Sequence, residues 1–280
     1  MKTYRELLKN GEQKLAAAGI ENAAGEAWYL FEDAFSVSKM DYLLDQNRIC
    51  PEEAQIDKYE SYLHKRSIEH VPMQYLLGNQ EFMGLSFQVT PDVLIPRLDT
   101  EILVEEILHT VSEADSVLDL CTGSGCIILS LAYYGTFQRC IGADISEAAL
   151  RVAKENGKSL VPMVEFIKSD LFENIKGKYD LIVSNPPYIT TEECTRLMPE
   201  VRDHEPMLAL DGHEDGLYFY RKIISSAPEF LNPGGYLFFE IGYDQGKSVP
   251  ALMKQAGFTH VVCKKDLAGL DRVVYGRYMD

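Results

Sequence analysis

The five residues Ser184-Asn-Pro-Pro-Tyr188 follow the run Asp180-Leu-Ile-Val183, at the end of what reads as a buried strand. Two consecutive prolines cannot continue a sheet, because neither has the N–H that a ladder needs. Each also holds the residue before it in extended backbone, so the turn is rigid. It therefore offers acceptors with no donors of its own to satisfy: the Asn185 side-chain oxygen and the Pro186 carbonyl, with the flat face of Tyr188 beside them. Such a pair suits a planar NH₂ group. The nitrogen of an amide or aromatic amine is a poor nucleophile, since its lone pair is delocalised. Acceptors on both hydrogens favour the pyramidal, positive nitrogen that forms as it attacks, so the contact is stronger in the transition state than before it. Asn185, Pro186 and Tyr188 are the candidate catalytic groups, and Pro187 joins them on the substrate side. Alone, the motif is also compatible with a plain proline-terminated loop carrying a solvated Asn.

A second set of polar groups lies earlier in the chain. The run Asp119-Leu-Cys-Thr-Gly-Ser-Gly125 passes from a strand directly into a helix, where glycines let the backbone approach a ligand. A dinucleotide fingerprint would carry a third glycine at position 128, which is Ile. Asp119 suits a cationic ligand better than a pyrophosphate. Asp144 ends the next strand, where a carboxylate accepts from both hydroxyls of a ribose. Ser169 and Asp170 close the third, where an adenine amino group would lie. Three polar ends on three successive strands resemble the Rossmann-like class of S-adenosylmethionine-dependent methyltransferases. The resemblance implies cofactor contacts from Cys121, Thr122, Gly123, Ser124, Gly125, Asp144, Asp170, Leu171 and Asn185. It also implies S-adenosylhomocysteine as product, and a neutral thioether leaving group that needs no strong base. Position 121 is usually Gly in that class. A side chain at positive φ costs roughly 1 kcal/mol or more, so ordinary φ is expected at Cys121.

These groups must be held by alternating strands and helices, and the chain supplies them. Residues 1–78 read as helical throughout, a small bundle, with Pro51 opening one helix. The stretch Glu81-Phe-Met-Gly-Leu-Ser-Phe-Gln-Val-Thr-Pro91 alternates apolar and polar residues, as a hairpin linker over 79–96 would. From 97 to 280 helix and strand patterns alternate, which makes an α/β fold with a largely parallel sheet. In it the strand ending at Ser184 is expected beside the one ending at Leu120, where strand order reverses and ligands bind.

Composition narrows the partners. There are 43 acids against 27 bases, a net charge of −16, which disfavours a nucleic-acid phosphate backbone as ligand. Six scattered cysteines show no Cys-x-x-Cys pair, which argues against zinc or a disulfide framework and for a reducing, cytoplasmic setting. No metal site, membrane span or signal core is expected. The six histidines read as surface or packing residues. Arg97 either orients the substrate backbone or pairs with a pocket carboxylate, or else forms a structural ion pair with Asp99 or Glu101; Glu205-Pro206 reads as part of a loop over the substrate site.

Over nearly its whole length the chain resembles the release-factor glutamine N5-methyltransferases of the HemK/PrmC type. The resemblance rests on Pro72–Glu101, on Val117-Leu-Asp-Leu-Cys-Thr-Gly-Ser-Gly125, on Ser169-Asp-Leu-Phe172 and on Ile182-Val-Ser-Asn-Pro-Pro-Tyr-Ile189. Glu205–Ile223, Leu231–Gly246 and Lys265–Arg277 extend it to the end of the chain. It implies a substrate-docking helical domain and a Rossmann-like methyltransferase domain, acting as a monomer. The implied substrate is the glutamine of the Gly-Gly-Gln loop in class 1 peptide chain release factors, held by Asn185 and Pro186 and packed by Tyr188. Departures are Cys121 and His213 where the family favours Gly, Leu98 where it favours Pro, and Leu171 where it often has a larger aromatic. Open alternatives are a glutamine on a ribosomal protein, an adenine N6 on nucleic acid, and a non-catalytic adaptor.

Overall fold

The computed structural model describes residues 2–49, 52–111 and 114–279. They form two compact units, one of Met1–Gly78 with Pro199–His204, the other of Asn79–Met198 with Glu205–Asp280. No helix among the described residues is long and apolar enough to cross a membrane.

The smaller unit holds α1 (Tyr4–Ala17), α2 (Ala23–Phe35), α3 (Lys39–Leu44), α4 (Glu53–Ser67) and α5 (Met73–Leu77). Thr3 and Glu6 close a capping box at the start of α1, which satisfies amides that the first turn leaves free. The helix expected from Pro51 begins at Glu53; Pro51 itself lies outside the described residues. Leu7, Leu15, Leu30, Phe31, Tyr59 and Leu63 are fully buried and form the core of the bundle. Arg66 on α4 is buried with them. It makes a forked pair with Glu26 on α2, at 2.6 and 3.0 Å, and also holds Glu200 of the short segment 199–204.

The larger unit opens with a hairpin, β1 (Asn79–Phe82) and β2 (Leu85–Gln88), turned at Met83 and Gly84, both at positive φ as a two-residue hairpin turn requires. It does not hang free as a linker. Asn156 grips it from the helix below, accepting from the Gln88 amide at 2.7 Å and donating to its carbonyl at 3.1 Å.

Beyond the hairpin come α6 (Leu98–Thr110), β3 (Ser116–Leu120), α7 (Cys126–Tyr134), β4 (Arg139–Asp144), α8 (Glu147–Leu160), β5 (Glu165–Lys168) and β6 (Tyr179–Ser184). The short helices α9 (Thr191–Cys194) and α10 (Pro199–Arg202, which belongs to the smaller unit) follow. Then come α11 (Tyr218–Phe230), β7 (Leu231–Glu240), α12 (Ser248–Gln255), β8 (Thr259–Lys265) and β9 (Asp271–Arg277). The seven strands run β5-β4-β3-β6-β7-β9-β8, parallel except that β9 is antiparallel to both neighbours. Neighbouring strand residues face opposite layers: Val117 packs with α6 and α7, Leu118 with α11 and α12. Strand β7 starts at Leu231. A register shift opposite Tyr179–Leu181 accommodates Asn232-Pro-Gly-Gly235.

Leu120 pairs with Ala143 of β4 on one side and with Ser184 of β6 on the other. Three strands therefore end level, and their following loops emerge together at the reversal of strand order, as the sequence pattern predicts.

Replacing Arg66 by Ala would leave Glu26 and Glu200 partly buried without their cation. The expected loss is about 1–3 kcal/mol of stability in the smaller unit. Trp28, the single tryptophan, packs on Phe31 in that core, so denaturant unfolding followed by its fluorescence reads the change. An unshifted midpoint would mean that water already solvates both carboxylates.

Candidate active site

The turn after β3 must reverse at once. The Thr122 amide donates to the Ala143 carbonyl on the adjacent strand (3.0 Å), and the Gly125 amide returns to the Thr122 carbonyl (2.8 Å). That path puts Cys121 at φ +60°, against the expectation of ordinary φ. The reversal falls on residue 121 itself, and the compact Cys side chain bears a strain that Gly would avoid. Burial, and then the nearby Asp144 charge, push the Cys121 thiol pKa up, which disfavours the nucleophilic thiolate. Gly125 caps α7 at φ +82°, and a Cβ there would lie 3.1 Å from Leu129 and 3.3 Å from both Ala153 and Phe166. Only glycine fits both demands. Ile128, at the position of the missing third glycine, is fully buried in the core.

Asp119 is not the pocket carboxylate that its position in the motif predicts. It is wholly buried beneath the loop, where Oδ2 accepts from the Thr122 hydroxyl at 2.5 Å and Oδ1 has no partner among the described residues. Burial raises its pKa to about 8. Asp144 does face the cavity. Its Oδ2 accepts from the Gly123 amide (2.9 Å) and its Oδ1 from the Ser146 amide (2.8 Å), which fixes the carboxylate and leaves each oxygen a further lone pair. Burial moves its pKa upward against those two bonds.

The Asn-Pro-Pro-Tyr turn leaves β6 at Ser184, whose hydroxyl donates to the Leu120 carbonyl at 2.7 Å and locks the ends of β6 and β3 together. Asn185 lines the cavity, with Nδ2 on the Thr100 hydroxyl at 3.4 Å. Tyr188 turns its hydroxyl inward to Glu240 (3.4 Å). The loop 210–216 presses on this turn from outside. Gly216 sits at φ +68°, and a Cβ on it would lie 2.3 Å from the Tyr188 carbonyl. Gln245, buried, bridges the Tyr188 and Gly216 carbonyls at 3.2 and 3.1 Å.

The resulting cavity, about 290 Å³, brings together Arg97, Cys121, Thr122, Gly123, Ser124, Asp144, Asp170, Leu171, Asn185 and Pro187. Gly125, Pro186 and Tyr188 are not among the residues that line it. Arg97 pairs with neither Asp99 nor Glu101, the partners its sequence position offers. Its guanidinium reaches Glu205, which also takes the Ile95 amide at 3.3 Å. Pro206, Leu208 and Ala209 then close one side of the cavity. His213 is a lining residue too, at φ +68°, with its ring 4.3 Å from Tyr218 and 5.6 Å from Phe219. Its backbone explains why glycine is favoured there, and its ring is part of the cavity wall, which sequence reasoning missed. Thr100, Gln245 and Glu240 were missed as well. The signal for Glu240 was a carboxylate ending the apolar run Tyr236-Leu-Phe-Phe239.

Asp119 binds a proton in the folded protein up to about pH 8, whereas in the unfolded chain it releases it near 3.8. Stability from this group is therefore lost as pH rises between those values. Asp119→Asn keeps the acceptor for Thr122 and removes the titration. It should raise stability by about 1–3 kcal/mol near pH 8.5 and by much less near pH 5. Equal effects at both pH values would refute the burial assignment.

Residues 97–201 match the methyltransferase small domain, and residues 6–78 match the PrmC N-terminal domain. A release factor glutamine methyltransferase of Geobacter sulfurreducens is 42% identical over 98% of this chain and 96% of its own. One from Clostridium acetobutylicum is 44% identical over 83% of this chain and 84% of its own. Among solved structures, a methyltransferase from Pyrococcus furiosus shares the fold, with a TM-score of 0.53 at 15% identity, covering 80% of this chain and 99% of that one. At that identity over nearly its whole length, and with both family domains matched, the chain belongs to the release factor glutamine methyltransferase family.

Proposed function

We propose that this protein transfers a methyl group from S-adenosylmethionine to the side-chain amide nitrogen of the glutamine in the Gly-Gly-Gln loop of class 1 peptide chain release factors. The observation that carries it is Asn185, rigidly presented by two prolines at the reversal of strand order, in one cavity with Asp144 and the glycine turn. The full-length likeness to release factor glutamine methyltransferases supports glutamine over adenine as the acceptor, as does the net charge of −16.

The cavity fits the cofactor on its own chemistry. Asp144 keeps lone pairs for two ribose hydroxyls, Asp170 in the lining would be an acceptor for an adenine amino group, and Leu171 offers apolar surface. Above Gly123 a Cβ would meet nothing within 4 Å, so the turn leaves room for a ligand. When bound, S-adenosylmethionine supplies an electrophilic methyl group on a sulfonium that leaves as a neutral thioether. The protein's own part is positioning. Asn185 Oδ1 and the Pro186 carbonyl take the two amide hydrogens of the glutamine, concentrate the nitrogen lone pair and favour the positive charge that grows there. Tyr188, anchored on Glu240, backs this clamp, and Arg97, tied to Glu205, sets its outer edge. Residues 1–78 serve to dock the substrate protein: in α3, Met40, Leu43 and Leu44 are exposed apolar side chains.

The test is a transfer reaction with labelled S-adenosylmethionine and four acceptors: a class 1 release factor, its Gln→Ala variant in the Gly-Gly-Gln loop, bulk ribosomal proteins, and DNA. Label is expected on the wild-type factor alone, and Asn185→Ala should lower kcat by about 10²–10³-fold. Label on a ribosomal protein or DNA would keep the cofactor assignment and overturn the substrate.

A further inference from the structure

The Asn-Pro-Pro-Tyr motif carries its own aromatic residue, but Tyr188 is not among the residues that line the cavity, and its hydroxyl is turned to Glu240. Among the described residues, the aromatic side chains in the lining are those of His213, Tyr218 and Phe219. Of these, His213 follows directly on backbone that touches the clamp. The Gly212 amide donates to the Ile189 carbonyl at 2.7 Å, and the Thr191 amide to the His213 carbonyl at 3.1 Å. A Cβ on Gly212 would lie 2.7 Å from the Tyr188 Cα and 2.9 Å from the Pro187 carbonyl oxygen, so the chain before His213 rests on the turn itself.

The ring is held as well. Asp211 Oδ1 accepts from the His213 amide at 2.8 Å and from the Thr191 hydroxyl at 2.7 Å, which fixes the backbone at φ +68°. Histidine tolerates this region better than most side chains do, and glycine would sit there at no steric cost. The imidazole packs on Tyr218 at 4.3 Å and on Phe219 at 5.6 Å, and Lys222 Nζ lies 4.8 Å over the Tyr218 ring. This wall leads into α11, whose Ile223 and Ile224 pack on one face of the sheet. The glycine turn leads into α7, whose Ile127 and Ile128 pack on the other. Asn185 leaves β6 at the sheet edge between these two layers.

A planar amide attacks along the normal to its plane, where the nitrogen lone pair develops. With its two hydrogens held by Asn185 and Pro186, one face turns to the glycine turn and the other to the wall before α11. We propose that His213 is a substrate-binding residue that closes this second face. Its ring packs on the acceptor amide and sets the plane in which the clamp receives the two hydrogens. The flat surface expected of Tyr188 is thus supplied by a residue outside the motif. This rests on Asn185 being the clamp for the substrate nitrogen.

The experiment compares wild type, His213→Gly, His213→Asn and Asn185→Ala in the full chain, with labelled S-adenosylmethionine and a class 1 release factor. Calorimetric binding of S-adenosylhomocysteine and thermal unfolding are measured alongside. Gly and Asn both accept left-handed backbone and both remove the ring, so the substitutions add no strain. Each should lower kcat/KM for the release factor about 10-fold, the scale of one aromatic contact. KM for S-adenosylmethionine and Kd for S-adenosylhomocysteine should stay within about 2-fold of wild type, and His213→Gly should unfold no earlier than wild type. Wild-type kcat/KM in both variants, an equal loss in S-adenosylhomocysteine binding, or a loss that tracks a lowered unfolding midpoint would each overturn the assignment of the ring to the acceptor. Full turnover in Asn185→Ala would overturn the clamp itself, and the inference with it. Lost turnover there, with both His213 variants unaffected, overturns only the role of His213.

Discussion

The pairing of β3 with β6 is the constraint on which the rest depends. Four residue pairs, from Val117 with Leu181 to Leu120 with Ser184, bring two strands far apart in sequence into register. Helical layers then cover opposite faces of the sheet, and the loops that leave these two strands have nowhere to go but the crevice between them. One loop brings the glycine turn, the other brings Asn185. A slip of one residue would turn every side chain of β6 to the other face and carry Asn185 out of the cavity. The Ser184 hydroxyl on the Leu120 carbonyl adds a bond at the last step, where a slip would matter most.

Around that pairing the protein accepts local costs. Among the described residues, Asp119 is buried with one oxygen unpartnered, Cys121 and His213 sit at positive φ, and Glu240 keeps one oxygen without a partner. Costs of this kind persist where surrounding structure over-determines them, and they gather at sites. Here all four lie in the cavity wall or in the layer directly behind it. The surrounding structure is well packed: β6 and β7 are flanked by fully buried Leu181, Ile182, Leu237, Phe238 and Phe239.

Much of this was legible in the sequence. Strand-and-helix alternation after residue 97 gave the layered fold, and three polar strand ends located the cavity, because periodicity and turn chemistry are local properties. Legibility failed where partners are distant in the chain. Arg97 meets Glu205, 108 positions away, and Tyr188 meets Glu240, 52 positions away, so neither pair has a local signature. The φ of Cys121 was misjudged for a similar reason. Propensity disfavours positive φ at Cys, but the bond from the Thr122 amide to Ala143 of the neighbouring strand overrides it. His213 is the mirror case, a residue read as surface or packing, whose ring does pack on Tyr218 and Phe219 but does so in the cavity wall.

The segment 199–204 has a consequence for how such a protein can be inherited. Its backbone leaves the larger unit after Met198 and rejoins it at Glu205, while its six residues are built into the helical bundle, Glu200 on Arg66 and the Glu69 carbonyl on the His204 ring. The bundle is therefore assembled from two stretches of chain, not from one. Recombination that swapped residues 1–78 as a cassette would leave behind a strip cut to fit a different bundle. A boundary that looks clean at Gly78 is therefore only part of the boundary of the bundle.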